Sequence, residues 1–383
     1  MMGDTPYRIA YVIGELGKGG AEYQLHELLR HLDRAVFAPR VFALAPGGYW
    51  AEPIRGLGVA VEELPRRGSA DIGRVRRLRA RLRAFEPHVV HTVLWSGNCY
   101  GRLAAARLGV PVVIAAERNA IHRPFWQVLV ERALDRGTDA YLVNCQAIVP
   151  LLTERARVVP AKIQVIPNGI DLSRLPPFAL ERQAARGAAG FDPRRRLVAQ
   201  VGRLTPQKDY PTFLRAAAMV AAELSDVDFL VVGEGERRAE LETLARRLGL
   251  GTRLRFTGLR HDVPRLLAAV DVLALTSVHE GFPNVVLEAM AMGAVAVASD
   301  VGGCRELVAT QETGLLVPPR APAAVAAAIL RVLRDPALAR RLALAARRHI
   351  EGDLSVERMA EQTSAAYLRL LRATRAPAAV AAA

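Results

Sequence analysis

Cysteine is scarce in this chain: three residues in 383, at Cys99, Cys145 and Cys304. An odd, scattered set supplies neither a disulfide framework nor a metal knuckle, which points to a reducing, cytoplasmic setting. Aromatic residues make up only 5%, and no helix-turn-helix, zinc-finger or RNP pattern is present, so nucleic-acid binding is not expected. No uninterrupted apolar run reaches the roughly 18 to 20 residues needed to cross a bilayer. The longest contender, Ala321 to Leu333, is Ala-rich and reads as a packed helix. No basic, apolar, small-residue leader precedes Tyr7, so the protein is expected to be neither exported nor membrane-spanning. No Asp-x-Asp pair is positioned for a divalent metal, and no metal is expected.

Positive charge, by contrast, is in excess. Lys and Arg number 52 against 38 Asp and Glu, a net charge of +14, and both halves of the chain are basic. That excess favours anionic partners, a nucleotide diphosphate or an acidic lipid surface before nucleic acid. A hydrophobic share of 51% over this length supports two domains, each with its own core.

Short apolar runs alternate with amphipathic stretches through the first part of the chain. Strands are expected at 8–13, 41–45, 59–64, 89–93 and 112–116, with helices at 22–34, 72–85 and 100–108. Helices between strands imply right-handed crossovers and a parallel, doubly wound sheet, in which ligand groups gather at the carboxyl ends of strands. The first such end is Gly14-Glu-Leu-Gly-Lys-Gly-Gly, a glycine-rich turn into a helix. Its spacing is not that of a dinucleotide fingerprint, and Lys18 is followed by Gly where a Walker loop wants Ser or Thr. His91 ends another strand, and Glu117, Arg118 and Asn119 end a third. For His91, a ligand-contacting role and a core histidine are equally open.

Periodicity fails between Leu172 and Arg196, where Pro, Ala, Gly and Arg predominate, and this reads as a linker. The run from Leu197 to Val201 then opens a second alternating series and delivers Gly202, Arg203 and Lys208 to a strand end. A forked guanidinium and an ammonium beside a glycine suit a diphosphate. The densest chemistry lies from Val270 to Val301: a buried strand, a loop, a helix from about Pro283 to Met292 stopped by Gly293, and a returning strand. Pro283 belongs at a helix start, which leaves the amides of Asn284, Val285 and Val286 to meet an anion. Glu280 in the loop and Glu288 on the helix flank that place. As acceptors they suit hydroxyl groups, as on ribose or a hexose, rather than phosphate.

The run Glu280-Gly-Phe-Pro-Asn-Val-Val-Leu-Glu288, continued by Ala-Met-Ala-Met-Gly293 and followed by Ser299-Asp-Val-Gly-Gly303 and Glu306, resembles the Glu-x7-Glu motif of the family 4 glycosyltransferases. The likeness extends from about Tyr7 to Arg372 and takes in Lys162 to Asp171 and Gly202-Arg-Leu through Lys208. It implies an α/β protein of GT-B type, two Rossmann-like domains facing across a cleft, that transfers a sugar with retention. The donor would be a nucleotide diphosphate sugar, UDP favoured over GDP, and the acceptor a glycan or lipid-linked saccharide of cell-surface polysaccharide or glycolipid synthesis. Neither metal nor other cofactor would be needed.

In the same resemblance Gly19 and Gly20 approach donor phosphates or acceptor, Gly202 and Gly233 lie near the phosphates, and the base meets backbone at Leu259 and Arg260. Arg203 and Lys208 balance the departing diphosphate. Glu288 holds ribose, while Glu280 with the backbone of Gly281, Phe282, Pro283 and Asn284 orients the sugar beside Val285 and Val286. Many family members carry a histidine where this chain has Arg118 or Asn119; His122 lies a few residues on. These three and His91 are the candidates for contacting acceptor or transferred sugar. The expected domains are 1–175 on the acceptor side, a 176–195 linker, 196–355 for the nucleotide sugar, a 356–372 helix crossing back to the first domain, and a disordered 373–383 tail. A nucleotide-sugar epimerase of the same fold, or a non-catalytic nucleotide-sugar-binding protein, are the alternatives. The segment from Arg66 to Arg83 carries eight arginines around the apolar stripe of Val75, Leu78, Leu82 and Phe85. With the stripe packed on its sheet, the arginines are expected to point outward and to hold the enzyme on the inner face of an anionic membrane.

Overall fold

Runs of Val, Ile, Leu and Ala buried on both faces build two wholly parallel sheets, the arrangement that near-continuous apolar strands favour. The computed structural model describes residues 5–68, 71, 73–121, 123–175 and 182–375. The chain divides into two compact units, Met1–Gly169 with Val356–Ala383, and Ile170–Ser355.

The first unit holds β1 (Tyr7–Ile13), β2 (Phe37–Ala43), β3 (Ala60–Glu63), β4 (Val89–Val93), β5 (Val112–Glu117), β6 (Ala140–Val143) and β7 (Ile163–Val165). They lie in the order β3-β2-β1-β4-β5-β6-β7. Alternation along β1 sends Ile9, Tyr11 and Ile13 into one core and Ala10 and Val12 into another, because successive side chains leave opposite faces. The helix Val356–Arg375 covers the first of these faces with Met359, Ala360, Tyr367 and Leu371. The hydroxyl of Tyr367 lies 3.0 Å from that of Tyr11 and 2.6 Å from Nδ1 of His91, so these three buried groups find partners where the helix docks, while Nε2 of His91 has none among the described residues.

The second unit holds β8 (Arg196–Val201), β9 (Val227–Val232), β10 (Leu254–Gly258), β11 (Val272–Leu275), β12 (Val295–Ser299) and β13 (Gly314–Val317), in the order β10-β9-β8-β11-β12-β13. Val198, Phe229, Val231, Val272 and Val297 pack with Phe213, Leu214 and Ile329 in one core. In each sheet the winding reverses once, between β1 and β4 and between β8 and β11, the place in open α/β sheets where ligands bind at the strands' carboxyl ends.

Several expected boundaries move. Residues 183–188, expected within a linker, form the helix Gln183–Ala188. Two guanidinium groups that anchor it are buried: Arg186 in its last turn grips the two carboxylate oxygens of Asp271 at 2.6 Å, and Arg182 at its N-cap donates to the carbonyl of Ala268 at 3.2 Å. The aperiodic composition hid this helix because its anchor is charge pairing, not an apolar stripe. Residues 176–181 of the expected linker lie outside the described residues. The last helix continues to Arg375, past the expected end at 372; residues 376–383 are outside the described set. The arginine-rich helix Gly73–Phe85 does pack Leu78 and Leu82 into its core, but its arginines do not all face outward. Arg74 is buried and donates to the carbonyl of Leu64, Arg77 pairs with Asp71 at 2.6 Å, and Arg79 bonds the carbonyls of Leu103 and Ala104. Arg76, Arg81 and Arg83 remain exposed. Among the described residues no helix is long and apolar enough to cross a membrane.

Candidate functional site

The loops that leave β8 and β11 are stitched together at the point where the second sheet reverses. Gln200, fully buried on β8, donates from Nε2 to the carbonyl of Lys208 at 2.7 Å. The Thr276 hydroxyl, just beyond β11, lies 2.9 Å from Oε1 of Gln200 and 3.1 Å from the same carbonyl. Further out, the Gln207 side chain donates to the carbonyl of His279 at 3.0 Å, and the Val278 amide donates to the carbonyl of Gln207 at 2.9 Å. The turn Pro206–Lys208 is therefore fixed against the loop that carries Glu280.

That fixation brings Lys208 and Glu280 together. Nζ of Lys208 lies 2.6 Å from Oε1 of Glu280, which also accepts from the Ser277 hydroxyl at 2.6 Å. Ser277 is inaccessible and Glu280 7% exposed. An ammonium has three donors, and one contact to Glu280 leaves others for an incoming anion. Arg203, one turn earlier, is exposed and makes no ion pair among the described residues.

Glycine is required in this loop cluster by close backbone approach. Gly233, after β9, has φ +138, and a Cβ there would stand 2.0 Å from the carbonyl oxygen of Gly202. Gly202 has φ +151, and a Cβ on it would press within 3.1 Å of the Lys208 side chain. Beyond β10, Leu259 is half exposed and Arg260 is paired with Asp262 at 2.6 Å.

Pro283 precedes the helix Asn284–Ala291. Gly281, Phe282 and Pro283 are buried, and Asn284 and Val285 partly exposed. The carbonyl of Gly281 is held by the Gly303 amide at 2.8 Å. The expectation that the Val286 amide is free does not hold, since it donates to the carbonyl of Pro283 at 3.1 Å and Val286 is buried. Glu288, on the same helix, is partly exposed and has no side-chain partner among the described residues. Burial pushes its carboxyl up to about 7. A carboxylate left unpaired in such a place is poised to gain from hydroxyl donors.

In the first unit, Gly19 caps the helix Gly20–His31, and a Cβ on it would fall 2.0 Å from a carboxylate oxygen of Glu22. His91 is not at a strand end. It sits mid-strand in β4, 2% exposed, bonded to Tyr367, and burial followed by the nearby Arg118 cation lowers it to about 3. It is a neutral histidine of the core. Arg118 donates to the Asn168 side chain at 2.9 Å, and burial lowers its pKa to about 10. Asn119 is exposed, and His122 lies outside the described residues. Among the described residues no group of three or more His, Cys, Asp or Glu side chains could hold a metal ion.

Sequence reading missed Gln200, Thr276 and Ser277. A polar Gln inside the apolar run Leu197-Val-Ala-Gln-Val201 was the one visible signal, because a polar group in a doubly covered strand needs a partner.

Comparison with known proteins identifies the family. Residues 18–174 match the family model described as Glycosyltransferase Family 4, and residues 181–349 match that of Glycosyl transferases group 1. The D-inositol 3-phosphate glycosyltransferase of Salinispora arenicola is 33% identical over 341 residues, 81% of this chain and 76% of its own. That of Segniliparus rotundus is 32% identical over 82% of this chain and 73% of its own. Among solved structures, Anabaena HepE in complex with UDP and glucose superposes with a TM-score of 0.85 at 23% identity, covering 95% of this chain and all of that one. Sucrose-phosphate synthase from Thermosynechococcus elongatus gives 0.80 at 24% identity, covering 96% of this chain and 100% of that one. Two Rossmann-like domains, the paired Lys208 and Glu280 on switch-point loops, and relatives above 30% identity across most of the chain make this protein a member of the group 1, family 4 glycosyltransferases.

Proposed function

We propose that the second unit binds a UDP-sugar and that the enzyme transfers the sugar with retention, without a metal, to an acceptor taken up by the first unit. The observation that carries this reading is the Lys208–Glu280 contact at the β8/β11 switch point. Lys208, still holding Glu280, offers its remaining donors to the diphosphate, and exposed Arg203 adds a forked cation. Together they neutralise charge that grows on the leaving group, the term that dominates such transfers. Glu280, aimed by Ser277 and Lys208, accepts from sugar hydroxyls, and Glu288 accepts from ribose. The UDP and UDP-glucose present in structures of Anabaena HepE support a UDP-sugar as donor.

For the acceptor, the reading is a glycan or lipid-linked saccharide met at the cytoplasmic face of the membrane. The relatives named for D-inositol 3-phosphate favour a second reading, a soluble phosphorylated polyol. A panel of UDP- and GDP-sugars, each incubated with the purified protein alone, with a lipid-linked saccharide and with D-inositol 3-phosphate, separates these by mass spectrometry. A new glycoside from a UDP-sugar supports transfer, and its mass identifies the acceptor. Conversion of donor in the absence of acceptor would instead indicate an epimerase, and tight donor binding with no product a binding protein.

A further inference from the structure

The helix Phe125–Asp135 buries Val128 and Glu131 and turns the opposite face to solvent. That face is apolar at its start: Phe125 is 72% exposed, Trp126 57% and Leu129 45%, with Ile121 just before them at 37%. Spacings of three and four residues put Phe125, Trp126 and Leu129 on one side of the helix, followed along it by Arg132 and Arg136. The aromatic end is braced, since Trp126 packs edge-on against Trp95 with centroids 5.8 Å apart and the Arg123 guanidinium lies 4.6 Å above the Trp95 ring. Several large apolar side chains side by side in solvent mark an interaction surface.

Charge identifies what fits. The neighbouring turn Leu151–Ala156 packs on this helix, where the Arg132 guanidinium donates to the carbonyl of Arg155 at 2.6 Å. The side chains of Arg155, of Arg157 just after the turn, and of Arg136 at the helix end are exposed. The acids are mostly spent: Glu131 grips Arg102, Glu117 is buried against Arg123, and Asp135 holds Lys162 at 3.1 Å, leaving Glu154 exposed. An apolar zone with two indole or phenyl rings beside a cationic zone matches the acyl boundary and anionic headgroups of a phospholipid leaflet. A second copy would bring this cationic zone against itself in a two-fold contact.

We propose that this face, with Phe125, Trp126 and Leu129 inserted and Arg136, Arg155 and Arg157 over the headgroups, docks the protein peripherally on an anionic phospholipid surface. The site differs from the arginine-rich helix Gly73–Phe85, whose Arg74, Arg77 and Arg79 are committed within the fold. It does not depend on which acceptor the enzyme uses.

Co-sedimentation of the full-length protein with vesicles of equal parts phosphatidylcholine and phosphatidylglycerol tests it. Binding should fall as salt is raised and be weak on pure phosphatidylcholine. The double substitution Phe125→Ser with Trp126→Ser should lower partitioning about tenfold or more, since both rings supply interfacial burial. Arg136→Gln with Arg155→Gln should weaken binding to the anionic vesicles, whereas Met219→Ser, an exposed apolar residue of the second unit, should leave it unchanged. Trp emission should shift to the blue with vesicles in the unsubstituted protein and lose that shift in Trp126→Phe while sedimentation persists. Equal binding to neutral vesicles, no binding at low salt, or undiminished binding of the serine variant would overturn the proposal. So would a concentration-dependent dimer abolished by the serine substitutions, which would make a second copy the occupant.

Discussion

Glu280 accepts from both Lys208 and Ser277 at 2.6 Å on one oxygen, which leaves the other free for substrate. Removing its charge weakens the anchor and the acceptor together. Loss of one charged hydrogen bond is worth about 1.5–3 kcal/mol, so Glu280→Gln should lower kcat tenfold or more, whereas Glu288→Ala should chiefly raise the donor KM. Steady-state kinetics with a UDP-sugar separates the two, and near-unchanged constants for both variants would remove these glutamates from the site. Glu288 also makes the donor step sensitive to pH. Its carboxyl, pushed up to about 7 by burial, is largely protonated below that pH in the free enzyme. If the ionised form accepts from ribose, binding there releases a proton, so affinity should rise as pH climbs towards about 7 and level off above it. Calorimetry in buffers of different ionisation enthalpy should register that proton, and Glu288→Gln should abolish it.

At the scale of elements, the strand-end loops of the second sheet are packed backbone to backbone, and glycine there has no substitute. Gly233→Ala would set a Cβ 2.0 Å from the Gly202 carbonyl at a φ of +138. Strain of this kind costs about 1–3 kcal/mol, and displacing Gly202 also moves the loop leading to Lys208. Chemical denaturation should show the loss of stability and donor titration a weaker site. Gly56→Ala, where a Cβ meets nothing within 4 Å, should cost little by comparison. A Gly233→Ala protein with unchanged stability and donor affinity would mean that the two loops are not locked together as described.

The whole molecule closes its first core with the last part of its sequence. Val356, Met359, Tyr367 and Leu371 belong to the same core as Ile9, Tyr11 and Val89. A chain ended at Ser355 would expose that face and leave the Tyr11 hydroxyl and Nδ1 of His91 without Tyr367, and an unsatisfied buried polar group costs about 1–3 kcal/mol. Hydrogen exchange should then show β1 and β4 losing protection while β8 and β11 retain theirs, because the second unit has its own core. Loss of protection in both sheets together would mean that the two units do not fold separately. At the same scale, charge on the leaving group is assigned to Arg203 and Lys208, so activity should survive excess EDTA while Lys208→Ala costs far more. An absolute requirement for Mg²⁺ or Mn²⁺ would contradict that assignment.

Local pattern determined most of the architecture. Apolar runs such as Val272 to Leu275 can be little other than buried strands, and their regular alternation with helices leads to parallel sheets. The motif from Glu280 to Glu288, with Gly281 and Pro283 between them, by itself puts one carboxylate in a loop and one on a helix. Tertiary structure decided what depends on partners distant in the chain. His91 is a core residue because Tyr367, 276 positions away, meets its ring, and nothing in Val89-Val-His-Thr-Val93 announces that partner. Gln200 and Thr276, 76 positions apart, join the site only because β8 and β11 are neighbours where the winding reverses. The helix Gln183–Ala188 exists where composition suggested a linker because Asp271 supplies the counter-charge for Arg186. Periodicity reports which face of an element is buried. Which side chains meet there, and which arginines or aromatic rings are left in solvent, is fixed by chain crossings that no local pattern records.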